Sequence, residues 1–501
     1  MDQLTTISPD LLTFTAEHFR ALMPYVWGIL GAIAITLACV VRVFNPKWLV
    51  FFITLFVGTG GALAAWNLLD TTSMTLFNGM MVSDPFSNFF AFVALASVVI
   101  TALASFKYLD KENLQHPEYF ALLIFSAIGM MMMASSLDLI VLFIALELMS
   151  LSVYVLVGFR RADRKSNEAS MKYFILGGAA SAVLLYGAAL LYGATASTNI
   201  KDILQFAQTN GGQVPALFVL GGGMLIIGFL FKVAAVPFHM WMPDVYEGAP
   251  APITGFMTTG LKAASFAAFV RVFVSVGYSK GLAETLHLSI HHLFWVAAVL
   301  TMVIGNVIAL TQVNLKRMLA YSSIAHTGYL MVGILAAPMS EQGFSPVILY
   351  LVTYAIMNLG AFAVLSVLSG PSDQGLCLHD LAGVAKQKPL LGLAMAVFMF
   401  SMAGLPPTAG FIGKYLLFYS AIQAGEIWLV VISVLCSAIS LYYYLRVLVY
   451  MYMRDPVSTF GPSRIPVWSA IAVAGMATLT LQIGMLPEFL VEAAKKAVIG
   501  L

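Results

Sequence analysis

The sequence predicts an all-α polytopic membrane protein with about fourteen transmembrane helices. Hydrophobic residues make up 60% of the 501 residues, and charged residues make up only 10%. A soluble globular chain carries about 25% charged residues. Apolar stretches of the roughly 20 residues that cross a bilayer recur along nearly the whole chain. The net charge of +2 is small and spread out, so we expect a lipid bilayer around the protein and no nucleic-acid partner.

The apolar stretches can be assigned to individual spans. The predicted spans lie at 25–44, 48–69, 86–108, 117–134, 137–159, 171–193, 215–237, 254–277, 292–312, 318–337, 346–369, 390–423, 427–453 and 467–487. No long soluble segment interrupts them, and the longest connections, around 194–214 and 370–389, leave room for a short helix only. The sequence therefore predicts a single membrane domain over 1–501.

Two of the predicted spans are interrupted. Pro237 ends the apolar run of span 7, and Gly404, Pro406 and Pro407 break span 12. Irregular backbone at membrane depth is tolerated only against protein or a water-filled cavity, and paired interrupted spans point to inverted repeats around an ion path. We therefore expect discontinuous helices 7 and 12 and two inverted five-helix repeats. The predicted parts are 1–116 (spans 1–3), 117–277 (spans 4–8, first repeat), 291–453 (spans 9–13, second repeat) and 467–501 (last span and tail).

The distribution of lysine and arginine over the loops predicts the orientation, because basic loops stay on the cytoplasmic side. One set of loops contains Arg42, Lys47, Lys107, Lys111, Arg160, Arg161, Arg164, Lys165, Lys316, Arg317, Lys386, Lys388, Arg454 and Arg464. The opposite set contains Lys201 and Lys280, with Arg20, Lys495 and Lys496 on the tails. We therefore expect a multi-pass protein of the bacterial inner membrane with both termini periplasmic.

Four charged residues lie inside predicted spans. Glu147 is roughly ten residues from either end of span 5, Lys232 precedes the break of span 7, Lys262 lies within span 8, and Lys414 follows the break of span 12. A charged group at mid-membrane costs about 2.5–3.5 kcal/mol on insertion scales, so such groups are retained chiefly where they function. These four residues are the candidate functional site.

Lysine and glutamate at these depths are suited to proton transfer. Burial favours the neutral form of a lysine, which brings its proton affinity towards the physiological range. A carboxylate such as Glu147 near Lys232 favours the charged amine, and its withdrawal favours the neutral one. Arginine stays protonated and could not serve in this way. The residue types therefore predict a proton relay through Glu147, Lys232, Lys262 and Lys414, while interfacial snorkelling or structural ion pairing is the alternative.

Other polar residues are weaker candidates for the relay. Lys172 lies near the start of span 6, His239 follows span 7, and His326 lies within span 10. A hydrogen-bonded core histidine is the alternative for His326, and a loop residue is the alternative for His239. Arg271 and Arg446 lie near span ends, where we expect them to snorkel to the interface.

The cysteines predict neither a disulfide framework nor a metal centre. Cys39, Cys377 and Cys436 lie far apart and form no CxxC pair or Cys/His cluster. We therefore expect no metal site and no iron–sulfur cluster in this chain.

Several longer motifs resemble one known family. The segment FLFKVAAVPFHMWMPDVYEGAPAPITGFMTTGLKAASFAAFVRVF, the stretch NVIALTQVNLKRMLAYSSIAHTGY, the motif GLPPTAGFIGKY and the ALELMSL segment follow one another in order. Together they resemble the antiporter-like membrane subunits of respiratory complex I over about residues 120–450. Within that family, the DVYEGAPAP wording and Lys414 are most similar to the subunits designated N.

The resemblance carries its own expectations. It implies fourteen spans with inverted five-helix repeats, a Glu147–Lys232 charge pair, a central relay at Lys262 and an exit-side lysine at Lys414. Lys172 and His239 also match positions that the family uses. The family binds NADH, FMN, iron–sulfur clusters and quinone in other subunits, so the resemblance implies a non-redox subunit with no cofactor of its own. Its partners would be the other membrane-arm and peripheral-arm subunits.

Three functions follow from these observations. The first is a proton-translocating subunit of a redox-driven NADH-quinone oxidoreductase, in which quinone reduction elsewhere drives the relay. The second is a subunit of a multi-component cation/proton antiporter, which shares the helical core. The third is a purely structural membrane-arm subunit whose buried charges only hold helices together.

Overall fold

The structure is a computed structural model, and it describes residues 15–40, 46–209, 214–275, 284–457 and 465–499. Arg42, Lys280 and Arg464, which contributed to the predicted orientation, lie outside the described residues, as does the side chain of Cys39.

Almost all regular structure is helical. The helices are α1 Ala16–Ala21, α2 Met23–Val40, α3 Pro46–Asn67, α4 Pro85–Lys111, α5 Glu118–Ser135, α6 Leu139–Val157, α7 Arg164–Thr195, α8 Ile200–Thr209, α9 Ala216–Lys232, α10 Trp241–Gly248, α11 Ala251–Phe256, α12 Lys262–Ser275, α13 Glu284–Thr311, α14 Leu315–Ala336, α15 Ser345–Leu368, α16 Val384–Gln387, α17 Pro389–Ala403, α18 Ala409–Gln423, α19 Ile427–Met453, α20 Val467–Met485 and α21 Glu488–Val498. A π-helical turn, Met257–Leu261, joins α11 to α12, and a 3₁₀ turn spans Pro371–Asp373. Two short antiparallel strands, β1 Met74–Leu76 and β2 Met81–Ser83, form a hairpin between α3 and α4.

The predicted membrane architecture is confirmed. Within the described residues, 11 helices are long and apolar enough to cross a membrane. Three shorter apolar helices, Met23–Ala38, Ala216–Lys232 and Pro389–Ala403, supply the first, seventh and twelfth predicted spans. Span 6 is longer than predicted, because α7 begins at Arg164 and continues to Thr195. The β-hairpin was not predicted, since strands of three residues give no periodic signal.

Spans 7 and 12 are discontinuous, as predicted. In span 7, α9 ends at Lys232 and a non-helical connection leads to α10 at Trp241. In span 12, α17 ends at Ala403 and α18 begins at Ala409. Gly404 ends α17 in the left-handed region at φ +85°, which favours glycine. A Cβ atom there would also lie 2.9 Å from Cδ of Lys414, so this glycine lets the lysine approach the helix end.

The basic loops meet on one face of the protein. Arg160, at the end of span 5, and Lys316, at the start of span 10, both bond Asp373 in the connection between spans 11 and 12. Lys111, at the end of span 3, donates to the Ser369 carbonyl oxygen at 2.7 Å. The loops that the sequence assigns to one side of the membrane therefore lie together.

The prediction that Arg271 snorkels is wrong. Its guanidinium is buried and donates to both carboxylate oxygens of Asp84, at 2.9 and 3.0 Å, and to the Ala134 carbonyl oxygen at 2.7 Å. Asp84 also accepts from the Ser87 backbone as the N-cap of α4. Arg271 pairs internally because this end of α12 packs against α4 and α5, so a carboxylate is nearer than the lipid interface.

Candidate functional site

Lys232 is the last residue of α9 and is 7% exposed. Its Nζ donates to Ser150 Oγ at 3.0 Å. Ser150 lies one turn after Glu147 on the same face of α6, so the Glu147 carboxylate attracts the amine. Within the described residues, neither forms an ion pair within 4.0 Å. Glu147 Oε1 is buried without a hydrogen-bond partner among these residues. The two residues of the predicted charge pair thus lie near each other but share no ion pair or hydrogen bond in the described chain.

Lys262 follows the π-helical turn and is 4% exposed. Its Nζ donates to the carbonyl oxygen and the hydroxyl oxygen of Ser323, at 2.5 and 2.9 Å. It also lies 4.8 Å from the ring centre of Tyr354. A π-helical turn inside an α-helix is often found at functional positions. Here it directly precedes Lys262, in a span whose residues 251–272 are all buried.

A small cavity connects Lys232 to Lys262. Both lysines line it, together with aromatic side chains of α10, including Trp241 and Tyr246. The volume is about 10 Å³, which is about the space that the centre of one water molecule needs. One bridging water would connect the two amines without a direct contact between them.

His326 lies between Lys262 and Lys414 and is fully buried. Its Nδ1 lies 2.6 Å from the Tyr350 hydroxyl, and its Nε2 lies 3.1 Å from the Tyr444 hydroxyl. The Tyr444 hydroxyl also bonds the hydroxyl of Ser322. A neutral imidazole has one donor and one acceptor nitrogen, and a hydroxyl group can fill either role. This imidazole–hydroxyl chain can therefore reverse the direction of its hydrogen bonds without losing one.

Lys414 lies on α18 but reaches back to the end of α17. Its Nζ donates to the carbonyl oxygens of Met402 and Ala403, at 2.9 and 3.2 Å, and to Ser437 Oγ at 2.9 Å. Lys232 is likewise at the C-terminal end of its half-helix, α9. A helix C-terminus carries partial negative charge that favours a cation. Both breaks therefore place an amine at a helix end, although the two lysines lie on opposite sides of their breaks in the sequence.

The chain matches a known protein family and named relatives. Residues 136–440 match the family described as NADH:quinone oxidoreductase/Mrp antiporter, TM. The chain belongs to this family. Its relatives include NADH-quinone oxidoreductase subunit N of Trichlorobacter lovleyi, which is 43% identical over 97% of this chain and 98% of its own length. Another is subunit N 1 of Herpetosiphon aurantiacus, 39% identical over 100% of this chain and 99% of its own. The resemblance to N-type antiporter-like subunits is thereby confirmed.

Solved structures share the fold of this family member. Respiratory complex I from Thermus thermophilus contains a chain with a TM-score of 0.77 and 35% identity, covering 94% of this chain and 99% of that one. A chain of the Mrp complex from Dietzia has a TM-score of 0.82 at 21% identity, covering 97% of both chains. The second likeness shows the fold alone.

Two weaker candidates in this antiporter-like chain do not lie among the buried residues Lys232, Lys262 and Lys414. Lys172 is 41% exposed and pairs with Glu168 and Asp244, at 2.7 and 2.8 Å. Arg317 binds Asp244 from the other side at 2.6 Å, so Lys172 lies in an ion network at the rim of the protein. His239 is half-buried in the connection between α9 and α10 and does not line the cavity beside Lys232.

Sequence reasoning missed the hydroxyl groups of the site. Tyr350 and Tyr444 contact His326, while Ser150, Ser323 and Ser437 each bond one buried lysine. Serine and tyrosine are common in apolar spans, so their presence alone gives no signal.

Among the residues that the structure describes, no group of three or more histidine, cysteine, aspartate and glutamate residues could hold a metal ion. Of the cysteines, Cys436 is buried in α19 and Cys377 lies half-buried in the connection before α16, each as a free thiol.

Proposed function

We propose that this chain is the N-type, proton-translocating membrane subunit of a bacterial NADH-quinone oxidoreductase. Glu147, Lys232, Lys262 and Lys414 carry the protons, and quinone reduction in other subunits drives their movement. The chain itself performs no redox chemistry. NADH, FMN, iron–sulfur clusters and quinone belong to partner subunits of the membrane and peripheral arms. Full-length relatives with the name of this subunit support the assignment.

The hydrogen-bond partners of the lysines are the main support for the proposed proton relay. Lys232, Lys262 and Lys414 each donate to a serine hydroxyl, at 2.9–3.0 Å, and none of these three lysines has a carboxylate within 4.0 Å in the described chain. A hydroxyl group can accept from a charged amine and donate to a neutral one. Both protonation states of the lysine are therefore hydrogen-bonded, which keeps the cost of losing the proton low.

Buried cations elsewhere in the chain are held differently. Arg271 pairs with Asp84 at 2.9 Å, and Lys316 pairs with Asp373 at 2.9 Å. A carboxylate in direct contact stabilises the charged form of its partner. Lys232, Lys262 and Lys414 have no such carboxylate in direct contact in the described chain. Their surroundings therefore support proton exchange more than they support structural ion pairing.

Part of the proposed route follows hydrogen bonds of the structure. A proton on Lys232 reaches Lys262 through the cavity between them, with one water as the bridge. Lys262 bonds Ser323, and Tyr350, His326 and Tyr444 form one hydrogen-bonded chain. The proposal adds two transfers, from Ser323 to this chain and from the chain to Lys414. Glu147, besides its place in the relay, regulates the proton affinity of Lys232 by its charge. His326 is a member of this route, whereas Lys172 and His239 are assigned no step in it.

The proposal also includes the location, orientation and repeat structure of the chain. The protein is a bacterial inner-membrane protein with both termini periplasmic, so the charged cluster around Asp373 faces the cytoplasm. Spans 4–8 in 117–277 and spans 9–13 in 291–453 form the two inverted repeats. Two discontinuous spans with an amine at each helix end support the division.

Site changes test the relay against a structural role. In sealed membrane vesicles with the assembled complex, Lys232→Ala or Glu147→Ala should strongly reduce proton pumping per assembled complex. The matched control is Lys386→Ala, which removes an exposed lysine from its pair with Asp455. Normal coupled activity of an assembled Lys232→Ala complex would instead support the purely structural function. Isolation of the chain with flavin and iron–sulfur proteins distinguishes the redox complex from a multi-component antiporter.

A further inference from the structure

Asp373 accepts hydrogen bonds from three groups and forms an ion pair with a fourth, although the relay does not include it. Its side chain is 4% exposed; Lys316 Nζ donates to it at 2.9 Å, and Arg160 Nη1 pairs with it at 3.1 Å. The Tyr108 hydroxyl donates to it at 3.0 Å, and so does the Ala251 backbone N–H at 3.0 Å. These donors come from spans 3, 5, 8 and 10, so one carboxylate joins four spans.

Asp373, Arg160 and Lys316 also form hydrogen bonds with the backbone at the junction between α10 and α11. Besides the bond from Ala251 to Asp373, Arg160 Nη2 donates to the Gly248 carbonyl oxygen at 2.9 Å. Lys316 Nζ donates to the Ala249 carbonyl oxygen at 2.5 Å. Three of the four residues from Gly248 to Ala251 are therefore held by Asp373 or by its two cations.

The junction connects the two segments that line the cavity between Lys232 and Lys262. On one side, α10 contributes Trp241 and Tyr246 to the lining. On the other side, α11 continues through the π-helical turn to Lys262, roughly 16 Å further along the helix axis. Because residues 251–272 are all buried, and packed interiors transmit strain, we expect a shift at Ala251 to move Lys262.

The backbone around Asp373 is itself under constraint. Ser372 and Asp373 both adopt the left-handed conformation, at φ +54° and +53°. Non-glycine residues keep such backbone only where the surroundings over-determine it. The Ser372 backbone N–H is held at 3.0 Å by the carboxylate of Glu112, at the end of span 3. The connection between spans 11 and 12 is thus hydrogen-bonded to the first half of the chain through Ser372 and Glu112.

We propose that Asp373 is a positioning residue for proton transfer between Lys232 and Lys262. Its carboxylate fixes the α10–α11 junction and so sets the width of the cavity that holds the bridging water. This inference rests on the proposed relay, because positioning has a consequence only if protons pass Lys262.

The first test is Asp373→Asn in the assembled complex, studied in sealed membrane vesicles. Asparagine keeps the shape of the side chain but leaves Arg160 and Lys316 without their shared anion. Proton uptake per assembled complex should fall roughly 10- to 100-fold, since a displacement of about 1 Å has effects of this size. The solvent deuterium isotope effect should rise, because proton transfer becomes rate-limiting. Asp455→Asn, which changes an aspartate that is 97% exposed and paired only with Lys386 in the described chain, should change neither quantity.

A second variant keeps the test possible if the Asp373→Asn complex assembles poorly. Asp373→Asn with Lys316→Gln removes a buried cation together with the anion, so assembly should recover while uptake stays slow and the isotope effect stays raised. A merely structural role would change the amount of complex and leave its isotope effect at the wild-type value. Wild-type uptake and isotope effect per assembled complex, in either variant, would overturn the proposal.

A third variant separates this inference from the relay itself. Lys262→Ala should abolish proton uptake in the assembled complex. If it does so while Asp373→Asn is normal, the relay stands and the positioning role is refuted. If Lys262→Ala pumps normally, the proposed relay through Lys262 fails, whatever the result at Asp373.

Discussion

Removal of one hydroxyl group, in Tyr350→Phe, should interrupt the proposed path between Lys262 and Lys414. The Tyr350 hydroxyl lies 2.6 Å from Nδ1 of His326, and both side chains are fully buried. Phenylalanine keeps the ring that stacks on the imidazole at 5.8 Å. The change therefore removes a hydrogen-bond partner and leaves the packing nearly intact.

The magnitude follows from the orphaned nitrogen. A buried polar group without a partner costs about 1–3 kcal/mol. If this cost falls on the proton-transfer step, in which Nδ1 must gain or lose a proton, the rate falls about 5- to 150-fold. Proton uptake by vesicles that contain the assembled complex measures this rate, and the quantity of complex is determined separately.

Tyr119→Phe is the matched control. Tyr119 is equally buried, and its hydroxyl bonds Ser105 Oγ at 2.7 Å rather than His326. The chemical change and the cost in stability are thus similar, but the path is left intact. Equal slowing by the two variants would refute the reasoning, because the Tyr350 hydroxyl would then have only a packing role.

Three further predictions concern residues with contrasting surroundings. Lys262→Arg should abolish coupled proton uptake while the complex still assembles, because arginine does not release its proton; full activity would remove Lys262 from the relay. Asp84→Asn should lower the free energy of unfolding by about 3–5 kcal/mol, since it leaves the Arg271 guanidinium buried without its carboxylate. Thermal denaturation of the purified complex measures this loss, and an unchanged melting temperature would contradict it. Lys172→Gln should leave both pumping and stability nearly unchanged, because exposed ion pairs contribute less than about 1 kcal/mol; a strong loss of proton uptake would return Lys172 to the relay.

The sequence predicted the spans and the breaks because both depend on local composition. Twenty apolar residues have few alternatives to a membrane helix, and the segment around Pro406 and Pro407 cannot continue one. The four charged positions were equally visible, since a lysine such as Lys262 stands out in an apolar run. The depth of these residues in the fold agrees with that expectation: Lys232, Lys262 and Lys414 are all buried.

What the sequence could not supply was the partner of each group. Arg271 and Asp84 are 187 residues apart, and nothing local distinguishes a paired arginine from one that snorkels. Asp373 lies in a polar connection where an aspartate is ordinary, and only the tertiary fold brings Arg160 and Lys316 to it. The same holds for Lys414, whose contact with the end of α17 depends on how span 12 folds back at its break.

The charge state of the buried amines during turnover tests the central claim most directly. Infrared difference spectra of the assembled complex with isotopically labelled lysine would follow the ammonium bands between resting and pumping conditions. We predict that these bands decrease and recover in each cycle, and that a defined part of the signal disappears in Lys232→Ala. Ammonium bands that stay constant while protons are pumped would contradict proton transfer through these lysines.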